Sequence, residues 1–142
     1  MIVTRSRTVA ATPEAVWSVV ASPKRLARWW PRVERVKGVS GDGWTTVMRS
    51  SRGRAVRADW RLEREERGSE RVWVQELAGT PFEKVLTERR VQARLDPAEG
   101  GTRVVLTITQ RSRGWSRFGG VLLRRAAGRE LDAALDGLEE MV

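Results

Sequence analysis

A chain of 142 residues with a net charge of +9 contains no His, no Cys and no Tyr, yet carries seven Trp. His is the usual general base near neutral pH, Cys the strongest side-chain nucleophile, and both hold soft metals; their absence excludes a Cys–His pair, a Ser–His–Asp triad, a zinc site and a His-based iron site. What remains is Asp, Glu, Arg, Lys, Ser and Thr around large indole surfaces, which favours binding over demanding chemistry, and neither a metal nor a cofactor is expected.

The length fits one domain over residues 1–142. An apolar content of 40% with 32% charged residues is ordinary for a globular chain. No apolar run reaches the roughly 20 residues that span a bilayer. The start, Met1 to Arg5, lacks the apolar stretch of a signal peptide, so a cytoplasmic location is expected. Lys supplies three of the 27 basic residues and Arg the other 24. They are interleaved with Glu, as on a solvated surface. The other reading of the charge is an anionic partner such as RNA, a ribosome or an acidic protein. The densest basic stretches are Arg49 to Arg54 and Arg111 to Arg129.

In chain order, Ile2 to Ala10 alternates imperfectly and reads as a strand. Thr12-Pro13-Glu14-Ala15 is a helix start, with Thr12 as the cap and Pro13 in the first turn; Val16, Trp17, Val19 and Val20 form its apolar stripe. A second short helix is expected from Lys24 to about Trp30, capped by Ser22 and stopped by Pro31. Strands follow. Val33 to Val39 leads to the turn Gly41-Asp42-Gly43, and Trp44 to Ser50 comes next. From Arg54 to Arg64, Val56, Ala58, Trp60 and Leu62 share one face opposite Arg57, Asp59, Arg61 and Glu63. Further strands are expected over Arg71–Ala78, Phe82–Leu95 and Arg103–Gln110, the last two joined by a hairpin at Asp96 to Gly101. Gly119-Gly120 precedes a long helix whose apolar positions, Leu123, Ala127, Leu131, Ala134, Leu135 and Leu138, keep i, i+3, i+4 spacing. These strands bury their apolar face most economically as a curved antiparallel sheet around the final helix, an α+β architecture.

That order, with Thr12-Pro13-Glu14-Ala15-Val16-Trp17, Ala21-Ser22-Pro23, Trp29-Trp30-Pro31-Arg32-Val33 and Gly100-Gly101-Thr102-Arg103-Val104, resembles the polyketide cyclase/dehydrase branch of the START-like (SRPBCC, helix-grip) superfamily over nearly the whole chain. The resemblance implies a seven-stranded antiparallel sheet gripping a long C-terminal helix, with two short helices after the first strand and a hydrophobic cavity between sheet and helix. It further implies a lipid, hormone, quinone or polyketide ligand. A minority of such proteins catalyse; fold alone does not decide activity.

Given such a cavity, alternation assigns its wall. The hairpin register places Leu95 opposite Val104, Ala93 opposite Leu106, Val91 opposite Ile108 and Arg89 opposite Gln110, all inward. With Val72 and Val74 inward, Glu76 is expected inward near Arg89. The expected ligand-binding set is therefore Trp30, Trp60, Glu76, Arg89, Val91, Leu106, Ile108, Gln110 and Leu123, with Arg89 and Glu76 as the catalytic candidates. Arg89 suits a carboxylate or enolate, and Glu76 suits acid–base work; a structural ion pair or a turn to solvent is the other reading of these charges. Trp60 either stacks on a flat ligand or packs in the core, as does Trp30 at the cavity mouth. Trp73 is expected on the outer face with Leu77, Leu86 and Val105, an apolar stripe suited to a homodimer. Trp115, in a loop among Arg111, Arg113 and Arg117, is expected against the start of the final helix. Three functions compete: binding of a hydrophobic or polycyclic molecule, a polyketide aromatase/cyclase assisting aldol closure and dehydration, and a basic surface for RNA or an acidic partner. The lack of Tyr weighs against the second, since cavity Arg, Tyr and Trp are implicated in the relatives that cyclise.

Overall fold

The computed structural model describes residues 1–114 and 117–142. Trp115, and the contact expected of it, lies outside them. Strand β1 (Ile2–Val9) is followed by helix α1 (Pro13–Val20), a 3-10 turn (Pro23–Arg25) and the one-turn helix α2 (Leu26–Trp29). Strands β2 (Val33–Ser40), β3 (Gly43–Arg49), β4 (Ala55–Glu66) and β5 (Glu70–Glu76) come next. A second 3-10 turn (Pro81–Lys84) leads to β6 (Leu86–Ala98), β7 (Gly101–Ser112) and the long helix α3 (Arg117–Met141). The seven strands form one antiparallel sheet in the order β1-β7-β6-β5-β4-β3-β2. The chain therefore leaves β1 at one edge and enters β2 at the other. Helices α1 and α2 make that passage, packing on β2, β6, β7 and α3 as they go. This is the helix-grip arrangement the sequence led us to expect.

Local chemistry explains most of these elements. The Thr12 hydroxyl accepts a hydrogen bond from the Ala15 amide at 3.2 Å, and Pro13 opens α1 where its missing N–H is harmless. The second helix differs from expectation. Ser22 makes no side-chain cap, and the segment divides into a 3-10 turn and a single α-turn. Trp30 then turns extended (ψ 130°), as a residue before proline prefers. Phe82 lies in the second 3-10 turn, so β6 begins at Leu86. Gly119 and Gly120 fall inside α3, whose first turn starts earlier than the glycines suggested.

The hairpin register forms as expected. Leu95 faces Val104, Ala93 faces Leu106, Val91 faces Ile108 and Arg89 faces Gln110. Gly100 (φ 84°) supplies the left-handed turn residue. Gly101 has no room for a side chain, because a Cβ there would strike the Val9 carbonyl. The inner-face residues Val104, Leu106 and Ile108 meet Leu131, Ala134, Leu135 and Leu138 of α3, all fully buried. Each such aliphatic contributes about 1.5–3 kcal/mol of burial. On β1 the helix-facing row is Val3, Arg5, Arg7 and Val9. Its two arginines reach across to α3, Arg5 to Asp132 at 3.7 Å and Arg7 to Asp136 and Glu139, which explains the imperfect alternation of that strand.

Strand β5 reverses the face expected of it. Trp73 belongs to the core and sits opposite Leu62 and Val91, while Val72 and Val74 occupy the outer face beside Gln92 and Arg90. Val72, Trp73 and Val74 form an unbroken apolar run, so periodicity has no phase there; a bulge between Leu62 and Arg64 resets the register against β4. The indole, with the larger apolar area, takes the interior. Val72 and Val74 are nonetheless buried, shielded by the stems of long outer-face side chains such as Arg90, which pairs with Glu63 at 2.8 Å. The outer stripe suggested for a homodimer thus loses Trp73, and Leu86 is itself buried.

Candidate functional site

The sheet does not close fully on α3. Between the end of α2, the inner faces of β2 to β6 and the middle of α3 lies a cleft of about 320 Å³, a volume that includes its open mouth. Leu26 and Trp30 come from the α2 segment, Val33 from β2, and Thr46 and Met48 from β3. Trp60 of β4, Trp73 of β5, and Arg89 and Val91 of β6 form the floor, and Glu130 of α3 forms the roof. Three indoles therefore share one cleft. Trp30 meets Trp73 edge to face at 6.2 Å, with Trp29 behind it at 5.3 Å. Trp60 is held by its ring nitrogen, which donates to the Thr46 hydroxyl at 3.0 Å.

One end of the cleft is polar. The guanidinium of Arg89 donates through Nη1 to Gln110 Oε1 at 2.6 Å and through Nη2 to both Glu130 carboxylate oxygens at 3.0 and 2.8 Å. The Trp30 indole N–H donates to Glu130 Oε2 at 2.8 Å. Side-chain exposures of 18% for Arg89 and 26% for Glu130 place the pair between core and solvent, where an unpartnered charge would be expensive. The geometry is that of a charge-assisted anion site whose anion is supplied by the protein itself.

The expected site residues divide accordingly. Trp30, Trp60, Arg89 and Val91 line the cleft. Gln110 lies behind it and orients Arg89, while Leu106 and Ile108 belong to the solid core beneath α3. Leu123 is half-buried and stands two helical turns before Glu130, about 10 Å along the axis. Glu76 is placed on the outer face, exposed and hydrogen-bonded to Arg61 at 2.8 Å, a direct consequence of the reversed phase of β5. The inward residue is its neighbour Gln75, opposite Trp60, whose buried amide nitrogen has no partner among the described residues. Glu130, the true partner of Arg89, was missed. Its signal was available: it lies three residues after Ala127 and four before Ala134, a charge on the apolar stripe of the final helix.

A shallow recess adjoins the cleft through Leu26 and Trp73. Arg71 closes it, buried over the Trp44 ring at 5.7 Å and ion-paired to Glu65. Burial pushes the Arg71 guanidinium below the usual arginine range, opposed by the nearby carboxylates of Glu65 and Asp42. Among the described residues there is no cluster of three or more acidic ligands that could hold a metal, and no helix long and apolar enough to cross a membrane.

A seven-stranded antiparallel sheet gripping one long C-terminal helix is the START-like, helix-grip fold. The family described as polyketide cyclase/dehydrase and lipid transport matches residues 1–142, and the chain belongs to that family. Among solved structures, it is similar to a START superfamily protein from Mycobacterium smegmatis (TM-score 0.81, 14% identity, 99% of this chain and 96% of that one). It is also similar to the Zhui aromatase/cyclase from a Streptomyces species (TM-score 0.78, 18% identity, 99% and 92%). A Thermus thermophilus protein superposes with a TM-score of 0.76 at 22% identity, covering 99% and 96%. At these identities the likeness is one of fold. A sequence comparison with curated proteins finds no match.

Proposed function

We propose that the chain binds a small hydrophobic or polycyclic molecule in the cleft between sheet and α3. The observation that carries this reading is the convergence of Trp30, Trp60 and Trp73 on one opening between the sheet and α3. Indole faces offer flat apolar area and edge-to-face contacts to an aromatic ligand. Calorimetric titration with the neutral probe 2-naphthamide tests it. One site per chain with a negative heat-capacity change is expected; no heat of binding up to the probe's solubility limit would refute the reading.

A second reading, polyketide aromatase/cyclase, draws on the polar end of the cleft. Arg89 is positioned to hold an enolate oxygen and Glu130 to exchange a proton, the modest help that positioning-based cyclisation needs. Turnover of a poly-β-keto mimic, lost in Arg89→Ala, would favour it. Binding of RNA or an acidic protein through the basic surface is the third reading; steeply salt-dependent RNA binding would favour it.

A further inference from the structure

Resting on the binding reading, we infer that Glu130 is an internal stand-in for the ligand's own acid group, so that the cleft selects apolar molecules bearing one carboxylate over their neutral analogues. Three donated hydrogen bonds converge on this single carboxylate: two from Arg89 Nη2 and one from the Trp30 indole N–H. The donors are fixed independently of it. Arg89 is pinned by Gln110 on the neighbouring strand, and Trp30 by its packing on Trp29 and Trp73. Glu130 is the exchangeable member. It is the more exposed of the ion pair, and it lines the cleft from the side of α3. A ligand carboxylate that takes its place keeps Arg89 paired, so no buried charge is left bare, and the released Glu130 side chain passes to water. A neutral ligand must leave the Arg89–Glu130 pair intact and use only the apolar room beside it.

The surrounding charge has the matching sign. The segment that supplies Leu26, Trp30 and Val33 to the cleft also carries Lys24, Arg25, Arg28, Arg32, Arg35 and Lys37, all exposed. Among the described residues none of these six is ion-paired, and the one acid in the segment, Glu34, is held by Arg49. Such a rim concentrates anions at the mouth.

The test is calorimetric titration of the wild type, Glu130→Gln and Glu130→Asp with 2-naphthoate and with 2-naphthamide, which share a ring system and differ in charge. Removing the competing carboxylate in Glu130→Gln is expected to tighten naphthoate at least tenfold while moving naphthamide less than threefold. Glu130→Asp retracts the carboxylate by one methylene and is expected to tighten naphthoate by a smaller factor, an independent reading should the Gln variant fold poorly. Adding Arg89→Met to Glu130→Gln is expected to abolish the preference for naphthoate. Equal changes for both probes, or naphthoate binding unchanged or weakened in both Glu130 variants, would overturn the inference while leaving the cleft a binding site. Failure of both probes to bind any variant would remove the binding reading and the inference with it.

Discussion

Among the described indoles, Trp29, Trp30, Trp44 and Trp60 differ in what the ring nitrogen meets. Trp60 and Trp30 have partners, Thr46 and Glu130, so their rings are fixed in angle as well as depth. The buried ring nitrogens of Trp29 and Trp44 have none among the described residues, and these two serve as apolar bulk. Trp60→Phe replaces the buried indole with a smaller ring that has no N–H and leaves the Thr46 hydroxyl to the backbone; a loss of at least about 1 kcal/mol is expected in denaturant unfolding. Glu76 provides the contrast. As one partner of an exposed pair with Arg61, its replacement by Ala is expected to change stability by less than about 1 kcal/mol and to leave naphthamide affinity within twofold. A tenfold loss of affinity in Glu76→Ala would show that the outer-face placement of this residue is wrong. The error that put Glu76 inside arose at one residue, because Trp73 is flanked by Val72 and Val74 and an apolar triplet carries no alternation to read.

Among the elements, β6 and β7 were the most legible. A strictly alternating strand and a glycine-tipped hairpin fix the register, and every pair expected from Leu95–Val104 to Arg89–Gln110 is formed. Ile108 is therefore a secure core position, fully buried against α3; Ile108→Ala is expected to cost about 2–5 kcal/mol in stability by chemical denaturation. The α2 segment was less legible, since its shape follows from packing on α3. Gly137 marks that contact: a Cβ there would strike the backbone of Trp29. Gly137→Ala gains helix propensity in isolation, about 1 kcal/mol, yet here it is expected to destabilise the protein and displace Trp30 from the cleft. A raised melting temperature with unchanged naphthamide affinity would contradict this. Glu130 escaped because the helix was read for its apolar positions alone, although its place between Ala127 and Ala134 set a charge among them.

For the whole molecule, the architecture follows from a simple division of labour. One end of the sheet–helix interface, around Leu106, Ile108, Leu131 and Leu135, is packed solid, while the end covered by α2 stays open. The order of strands, short helices and final helix was legible from periodicity and turn residues. The opening was not, because it depends on which face of β5 turns inward and on how closely α2 approaches α3. Several of the 27 basic residues are paired on the outer sheet, where Arg61, Arg64 and Arg90 meet Glu76, Glu70 and Glu63, so the net excess of +9 lies elsewhere. The segment from Lys24 to Lys37 beside the cleft is left strongly positive. The association rate of 2-naphthoate should therefore fall as salt is raised, with that of 2-naphthamide unchanged, in stopped-flow mixing.

The most direct test of a ligand cleft between sheet and α3 is to follow the indole N–H resonances in a nitrogen-15 correlation spectrum during titration with 2-naphthamide. The resonances of Trp30, Trp60 and Trp73 are expected to move together with one dissociation constant, while that of Trp17, on α1 and outside the cleft, stays in place. Movement of Trp17 with those three unmoved, or no movement of any indole, would contradict the account.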